Sequence, residues 1–143
     1  ECFYAWKGGG AYLNGQSLQV SSVRSMEASF VVTELPYNSE QYARTGEYLI
    51  RELYGRVAGI RMNGSAAIAL CYVAAGRFDA WLEAFLGKWD FSAAALIVQE
   101  AGGRVTDFYG NAGFIDGHHV VATNGWLHPF LLELVQKAMP LGM

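Results

Sequence analysis

The sequence predicts an α/β fold, a layered domain with a mostly parallel sheet flanked by helices, preceded by a hairpin that belongs to another sheet. Apolar residues make up 52% of the 143 residues, which is enough for a core in one domain-sized chain. The continuous run Ser29–Thr33 is β-branched and apolar, as in a strand buried on both faces. After it, strand-like and helix-like segments alternate, which indicates layers of helices on a sheet.

The first 20 residues have the pattern of an antiparallel hairpin. Extended segments at 2–6 and 11–13 are separated by Gly8-Gly9-Gly10, and the turn Asn14-Gly15 leads into a third extended segment at 18–20. The chain enters directly in strand-like sequence, so we expect a piece of a longer fold. The sequence therefore predicts that residues 1–20 are the tail of an N-terminal domain and that 21–143 form a C-terminal α/β domain.

The elements of the second region follow from caps and apolar spacing. Asn38 and Gln41 have the spacing of a capping box before a helix that ends near Gly55. Residues 63–65 can cap the next, nearly all-apolar helix, which Gly76 ends. The remaining expectations are an extended segment at 57–62, helices at 66–75, 92–101 and from Pro129, and strands at 78–83, 105–108 and 120–123.

Composition argues against several classes of protein. Charged residues are only 16% and the net charge is -3, so we expect no direct nucleic-acid partner. The longest apolar run, 66–75, is half the roughly 20 residues of a membrane helix. Two cysteines give neither a disulfide framework nor a zinc site, and a cytoplasmic location is the expectation.

An aspartate at the start of an apolar helix is the most informative chemical feature. Asp90 comes just before the small residues Ala93, Ala94 and Ala95, which allow close helix packing. Its carboxylate could cap the helix, or it could face outward and bind a hard cation. The pattern alone favours the cap.

Three stretches together resemble the inositol monophosphatase family, in its bacterial form. The first is Trp89-Asp90, small residues and Glu100-Ala101-Gly102-Gly103; the second is Gly64-Ser65-Ala66-Ala67 followed by Gly76-Arg77-Phe78-Asp79 and Glu83. The third is the hairpin segment 10–15 with Val20-Ser21 after it. They occur in the family's order and extend to about Asn124, so the resemblance covers most of the chain.

The resemblance implies a Mg²⁺-dependent phosphatase whose site lies between two domains. Asp90 would bind one cation, Glu83 would bind a sugar hydroxyl, and Gly64, Ser65 and Ala66 would contact the substrate at a helix start. Most metal ligands of the family come from the N-terminal half, including an Asp-Pro-Ile/Leu-Asp-Gly-Thr segment that this sequence lacks. We therefore expect this chain alone to be inactive, to pair with its own N-terminal domain, and to form a homodimer.

Other interpretations stay open. Glu83 could be a solvated carboxylate and Gly64-Ser65 only a cap. An acid at position 83 favours a sugar or inositol monophosphate over a nucleotide, yet a bisphosphate nucleotidase or fructose-bisphosphatase is an alternative within the family. Outside it, the alternative is a non-catalytic α/β interaction or ligand-binding module. Trp89 is expected to pack in the core beneath the site.

Overall fold

The computed structural model describes residues 1–35 and 40–142, which form two sheets and four α-helices. The strands are β1 Phe3–Trp6, β2 Gly10–Leu13, β3 Gln16–Ser17, β4 Phe30–Thr33, β5 Gly59–Arg61, β6 Ala80–Ala84, β7 Arg104–Thr106 and β8 His119–Thr123. The helices are α1 Glu40–Leu53, α2 Ala66–Ala74, α3 Lys88–Glu100 and α4 His128–Gly142. None of the helices in this part of the chain is long and apolar enough to cross a membrane.

The larger sheet confirms the α/β prediction and is mixed in direction. Its strand order within the described residues is β5-β4-β6-β8-β7. β4 pairs in parallel with β5 and β6, whereas β8 pairs antiparallel with β6 and β7. β8 is thus reversed among strands that otherwise point one way. No α-helix lies between β7 and β8, and a parallel pairing needs a long crossover, so β8 returns alongside β7 in the opposite direction.

Helices cover both faces of this sheet. On β6, Trp81 faces the cluster that includes residues of α2 and α3, while Leu82 faces the cluster that includes residues of α1 and α4. Val31 and Val32 of β4 divide between the two clusters in the same way. All four of these side chains are fully buried, which explains why the sequence of these strands is a continuous apolar run.

The hairpin packs on α3 and is held there by one carboxylate. β1, β2 and β3 form a separate antiparallel sheet. Glu100, the last residue of α3, accepts hydrogen bonds from the backbone N–H groups of Gly8 at 2.8 Å and Gly10 at 3.0 Å. These two bonds lower the pKa of the Glu100 carboxyl. The third strand is earlier than predicted, at Gln16–Ser17 in place of 18–20. Leu18 N–H still donates to the Ala11 carbonyl of β2, but Val20 N–H donates to the Ala101 carbonyl just after α3, so the chain has left the hairpin there.

A buried polar network joins the segment after the hairpin to the larger sheet. Asp79 is 5% exposed and accepts hydrogen bonds from the Ser21 hydroxyl at 2.5 Å and the Phe30 N–H at 2.6 Å. Asn124 donates from Nδ2 to Ser21 Oγ at 3.0 Å and to the Val23 carbonyl at 2.7 Å. The segment at 21–23 is therefore fixed to the ends of β6 and β8 by hydrogen bonds rather than by apolar contact.

Most helix starts agree with the predictions, and one is different. Ser65 precedes α2, as predicted, and its Oγ accepts a hydrogen bond from Ile68 N–H at 3.4 Å. α3 begins at Lys88, four residues before the predicted start, because Gly87 supplies the extended residue that precedes the first turn. The predicted cap at Asn38 lies outside the described residues.

Candidate active site

A cavity of about 370 Å³ lies at the carboxyl ends of β4 and β6, beside the starts of α2 and α3. Carboxyl ends of sheet strands, next to helix N-termini, are the usual ligand position in α/β folds. The structure brings together all five residues that the sequence singled out as metal-binding or substrate-binding. The lining residues are Glu34, Leu35, Gly64, Ser65, Ala66, Ala67, Glu83, Phe85, Leu86, Trp89 and Asp90.

Asp90 caps the start of α3 in the structure, and its position also allows the other role considered above, which is to bind a cation. It is the third residue of α3, not the residue before the helix as the sequence predicted. Its Oδ2 accepts a hydrogen bond from the Gly87 N–H at 2.9 Å, which satisfies a donor at the helix end. The side chain is nevertheless exposed at the cavity. A carboxylate held in this way is a suitable cation ligand on a rigid element.

Glu83 is a half-buried carboxyl group near the end of β6. Its Oε2 is buried and has no hydrogen-bond partner among the described residues. Burial, followed by the negative charges of Glu34 and Asp90, raises the pKa of the Glu83 carboxyl to about 8. This side chain therefore requires a hydroxyl donor or a nearby cation to be satisfied as a carboxylate, and the solvated alternative does not describe it.

Glu34 is a site residue that the sequence analysis missed. It directly follows β4 and accepts hydrogen bonds from the backbone N–H groups of Asn63 at 2.6 Å and Gly64 at 2.9 Å. Gly64 has a φ of 71°, which a residue with a side chain adopts only with strain. Glu34 thus holds the turn that leads into Ser65 and α2. Its position after a buried strand was the signal that could have identified it.

The carboxylates that line the cavity fit part of a magnesium site. Oxygen ligands, and carboxylates above all, are what Mg²⁺ prefers. Asp90 and the unpaired oxygen of Glu83 offer such ligands. Across 1–35 and 40–142, however, no group of three or more acidic, histidine or cysteine side chains is placed to hold a metal ion. The described residues can supply one or two ligands, and a cation held here would need others.

Apolar side chains also line the cavity. Leu35 is 54% exposed, Phe85 52% and Trp89 83%. The expectation that Trp89 packs in the core is wrong. An added Cβ at Gly87 would lie 2.4 Å from Cε2 of Trp89, so the indole lies over the Gly87 backbone at the cavity rim.

The raised pKa of Glu83 predicts a pH-dependent gain in stability when its charge is removed. The folded state binds the proton more tightly than the unfolded state, whose pKa is near the ordinary 4.5. Proton binding to Glu83 therefore stabilises the folded state. This contribution is fully present below about pH 4.5 and is lost as the pH rises through about 8. For the metal-free chain we expect Glu83→Gln to be near neutral at pH 4.5 and stabilising by about 1–2 kcal/mol at pH 8.5, allowing for partial exposure.

Thermal unfolding of both proteins at the two pH values measures this difference. Glu47→Gln on the exposed side of α1 is the control and should show no such pH dependence. An equal effect of Glu83→Gln on the unfolding temperature at both pH values would contradict the raised pKa of the Glu83 carboxyl.

Comparisons with known proteins show which proteins this chain is similar to. The family model described as "Inositol monophosphatase family" matches residues 1–139. The chain is 44% identical over 142 residues to Nus factor SuhB of Pseudomonas aeruginosa, covering 98% of this chain and 52% of that protein. It is 37% identical over 142 residues to an inositol-1-monophosphatase of Rhizobium meliloti, covering 98% of this chain and 53% of that protein.

Solved structures have the same fold. An IMPase from Thermotoga maritima has a TM-score of 0.87 at 33% identity, covering 96% of this chain and 52% of that one. The extragenic suppressor protein suhB of Bartonella henselae has a TM-score of 0.89 at 36% identity, covering 94% and 52%. The chain spans about half the length of the relatives it matches. Because the family model covers nearly all of its residues, the chain belongs to the inositol monophosphatase family.

Proposed function

We propose that the chain is the C-terminal half of a Mg²⁺-dependent phosphomonoesterase that hydrolyses inositol monophosphate or a related sugar phosphate. The observation that carries this proposal is the single cavity shared by Asp90, Glu83 and the start of α2 in a member of this family. Residues 1–20 would be the tail of an N-terminal domain, and 21–143 the C-terminal domain. The remaining cation ligands would come from the N-terminal half, since the relatives are about twice as long.

Each residue of the cavity would have a separate task. Asp90 would hold a cation beside the leaving-group oxygen, while its bond to Gly87 keeps the carboxylate in position. Glu83 would accept a hydrogen bond from a hydroxyl of the alcohol through its unpaired Oε2. The first N–H groups of α2, at Ser65 and Ala66, would be donors to the substrate, because helix starts leave such groups free. Bound Mg²⁺ would neutralise phosphate charge and lower the pKa of the attacking water.

The acidic site also explains why a cation would be required. Glu34 and Asp90 line the cavity beside Glu83, and after burial their negative charges are the further cause of its raised pKa. The same charges would repel a phosphate ester. A cation offsets this repulsion, so binding of an anionic substrate should depend on it. Within the family, a bisphosphate nucleotidase or fructose-bisphosphatase is the alternative. A homodimer in the cytoplasm is the expected state of the intact protein.

A second candidate is a non-catalytic interaction module. It is favoured by one observation: the 44% identical relative is named a Nus factor, and that name describes no hydrolysis.

Turnover separates these candidates. The full-length protein should release phosphate from inositol monophosphate in Mg²⁺ and stop in excess EDTA, and the 143-residue chain should show no turnover above background. An inactive full-length protein would favour the interaction module. Turnover by the 143-residue chain that Asp90→Asn abolishes would overturn the two-half arrangement.

A further inference from the structure

Phe85 has a backbone conformation that its residue type disfavours. Its φ is 65°, in the left-handed region, and among the described residues Asn14 is the other non-glycine residue with a positive φ. Asn14 lies in a turn before Gly15, where Asn is tolerated. For a bulky residue this conformation is sterically unfavourable, because Cβ comes too close to the following carbonyl oxygen. Strain of this kind persists where the surrounding structure fixes it, and it clusters at functional sites.

Bonds on both sides of Phe85 fix its backbone. Ala84 is paired with His119 at the end of β6. Leu86, which is 5% exposed, donates its N–H to the His118 carbonyl at 2.8 Å. His118 Nδ1 lies 3.1 Å from the Leu86 carbonyl. The residues on both sides of Phe85 are thus bonded to the consecutive residues His118 and His119, which fixes the backbone at Phe85 between them.

The strained residue presents its ring at the cavity. The ring is about half exposed, lines the cavity, and lies 5.6 Å from the Tyr42 ring at an angle of 43°. Glycine could adopt the same backbone conformation without strain. The strain is therefore present only because this position carries an aromatic ring, which indicates that the ring has a role. Tyr42 supports this ring from α1 and limits where it can move.

The cavity is thus lined by two chemically different kinds of side chain. Glu34, Glu83 and Asp90 provide carboxylate acceptors, and Leu35, Phe85 and Trp89 provide apolar surface. A cyclic polyol has hydroxyl groups around its rim and C–H groups on its faces, so it matches both kinds at once. An open-chain alcohol lacks a rigid C–H face, and an aryl alcohol lacks the hydroxyl rim. The cavity, about 370 Å³, is large enough for a six-membered ring.

We propose that Phe85 is a specificity-determining residue whose ring takes the C–H face of a cyclic polyol, while Glu83 binds its hydroxyl groups. This assignment rests on the proposed phosphatase function and names the part of the substrate that the Phe85 ring selects. Selection for a cyclic over an open-chain phosphate ester should therefore depend on the ring of Phe85, and not on the charge of the site.

The test uses the full-length protein with Phe85→Gly and Phe85→Ala, assayed on inositol monophosphate and on glycerol 2-phosphate. Both variants should lower the ratio of kcat/KM for the cyclic ester to that for the open-chain ester by about tenfold, because both lose the ring. Phe85→Gly alone should raise the unfolding temperature, by about 2–4 °C, because only glycine relieves the strain. Phe130→Ala, an exposed phenylalanine on α4, is the control and should leave the ratio unchanged.

A binding measurement keeps this inference separate from the phosphatase proposal. If the full-length protein hydrolyses neither ester, the proposed function fails, and saturation-transfer NMR on intact inositol monophosphate then tests Phe85 directly. The ring C–H protons of the ligand should receive saturation that Phe85→Gly removes. An unchanged selectivity ratio in an active protein, or unchanged or undetectable saturation in an inactive one, would overturn the inference.

Discussion

Asp90→Asn in the full-length protein is expected to lower Mg²⁺-dependent turnover of inositol monophosphate by about 10²–10³-fold. Asparagine has nearly the same shape and its carbonyl oxygen can still accept the hydrogen bond from Gly87 N–H, so the start of α3 is retained. What would be lost is one negative charge facing the proposed cation. The cost is thus expected in turnover and in the Mg²⁺ concentration for half-maximal activity, not in folding.

Steady-state kinetics over a range of Mg²⁺ concentrations measures both quantities. Asp116→Asn is the matched control, since Asp116 is an exposed aspartate in a short 3₁₀ helix away from the cavity. Thermal unfolding of the two variants should agree with that of the wild type to within a few degrees. If Asp90→Asn keeps more than about a third of the turnover, Asp90 is only a helix cap.

The largest loss of stability is expected from Asp79→Ala. The substitution removes the acceptor of two short hydrogen bonds and leaves the Phe30 N–H and the Ser21 hydroxyl without it. Asp79 is almost fully buried, so water cannot easily replace the lost oxygens. Unpaired buried donors cost about 1–3 kcal/mol each, and we expect a loss of about 3–4 kcal/mol in the free energy of unfolding.

Denaturant unfolding of the chain measures this loss, with Ser21→Ala as the comparison. That variant removes the hydroxyl that bonds to Asp79 and to Asn124 Nδ2, but it leaves the bond from Phe30 to Asp79 and the bond from Asn124 to the Val23 carbonyl, so a smaller loss of about 1–2 kcal/mol is expected. Asp79→Asn should fall between the two, because the amide keeps one acceptor oxygen. Equal stability of Asp79→Ala and the wild type would show that the network contributes nothing to the junction.

The fold class could be predicted from the sequence because strands that are buried on both faces of a sheet are apolar at every position. Val31 and Val32 face opposite layers, so their strand is continuously apolar and easily recognised. The reversed direction of β8 could not be predicted in this way, since a strand buried on both faces has the same composition whether it pairs parallel or antiparallel. The third hairpin strand was misplaced because its pairing involves just Gln16 and Ser17, which are exposed and polar.

The site residues that belong to a sequence motif could be predicted. Those whose role depends only on their position in the fold could not. Asp90 and Glu83 carry the family pattern and line one cavity, although their roles stay predictions. Glu34 was missed because its function depends on a turn about 30 residues later in the chain. Trp89 was misplaced because a large aromatic residue is usually buried, whereas here Gly87 leaves room for the indole at the surface.

The reversed strand β8 has a consequence for how the domain is made. It bonds to both β6 and β7, and β7 pairs with no other strand in the described residues. During synthesis, the sheet cannot close until Thr123 has left the ribosome, and until then one edge of β6 and the apolar side chains beside it lack their cover. We therefore expect this sheet to complete its folding only after most of the domain has been translated, with the edge of β6 open to other pairings until then.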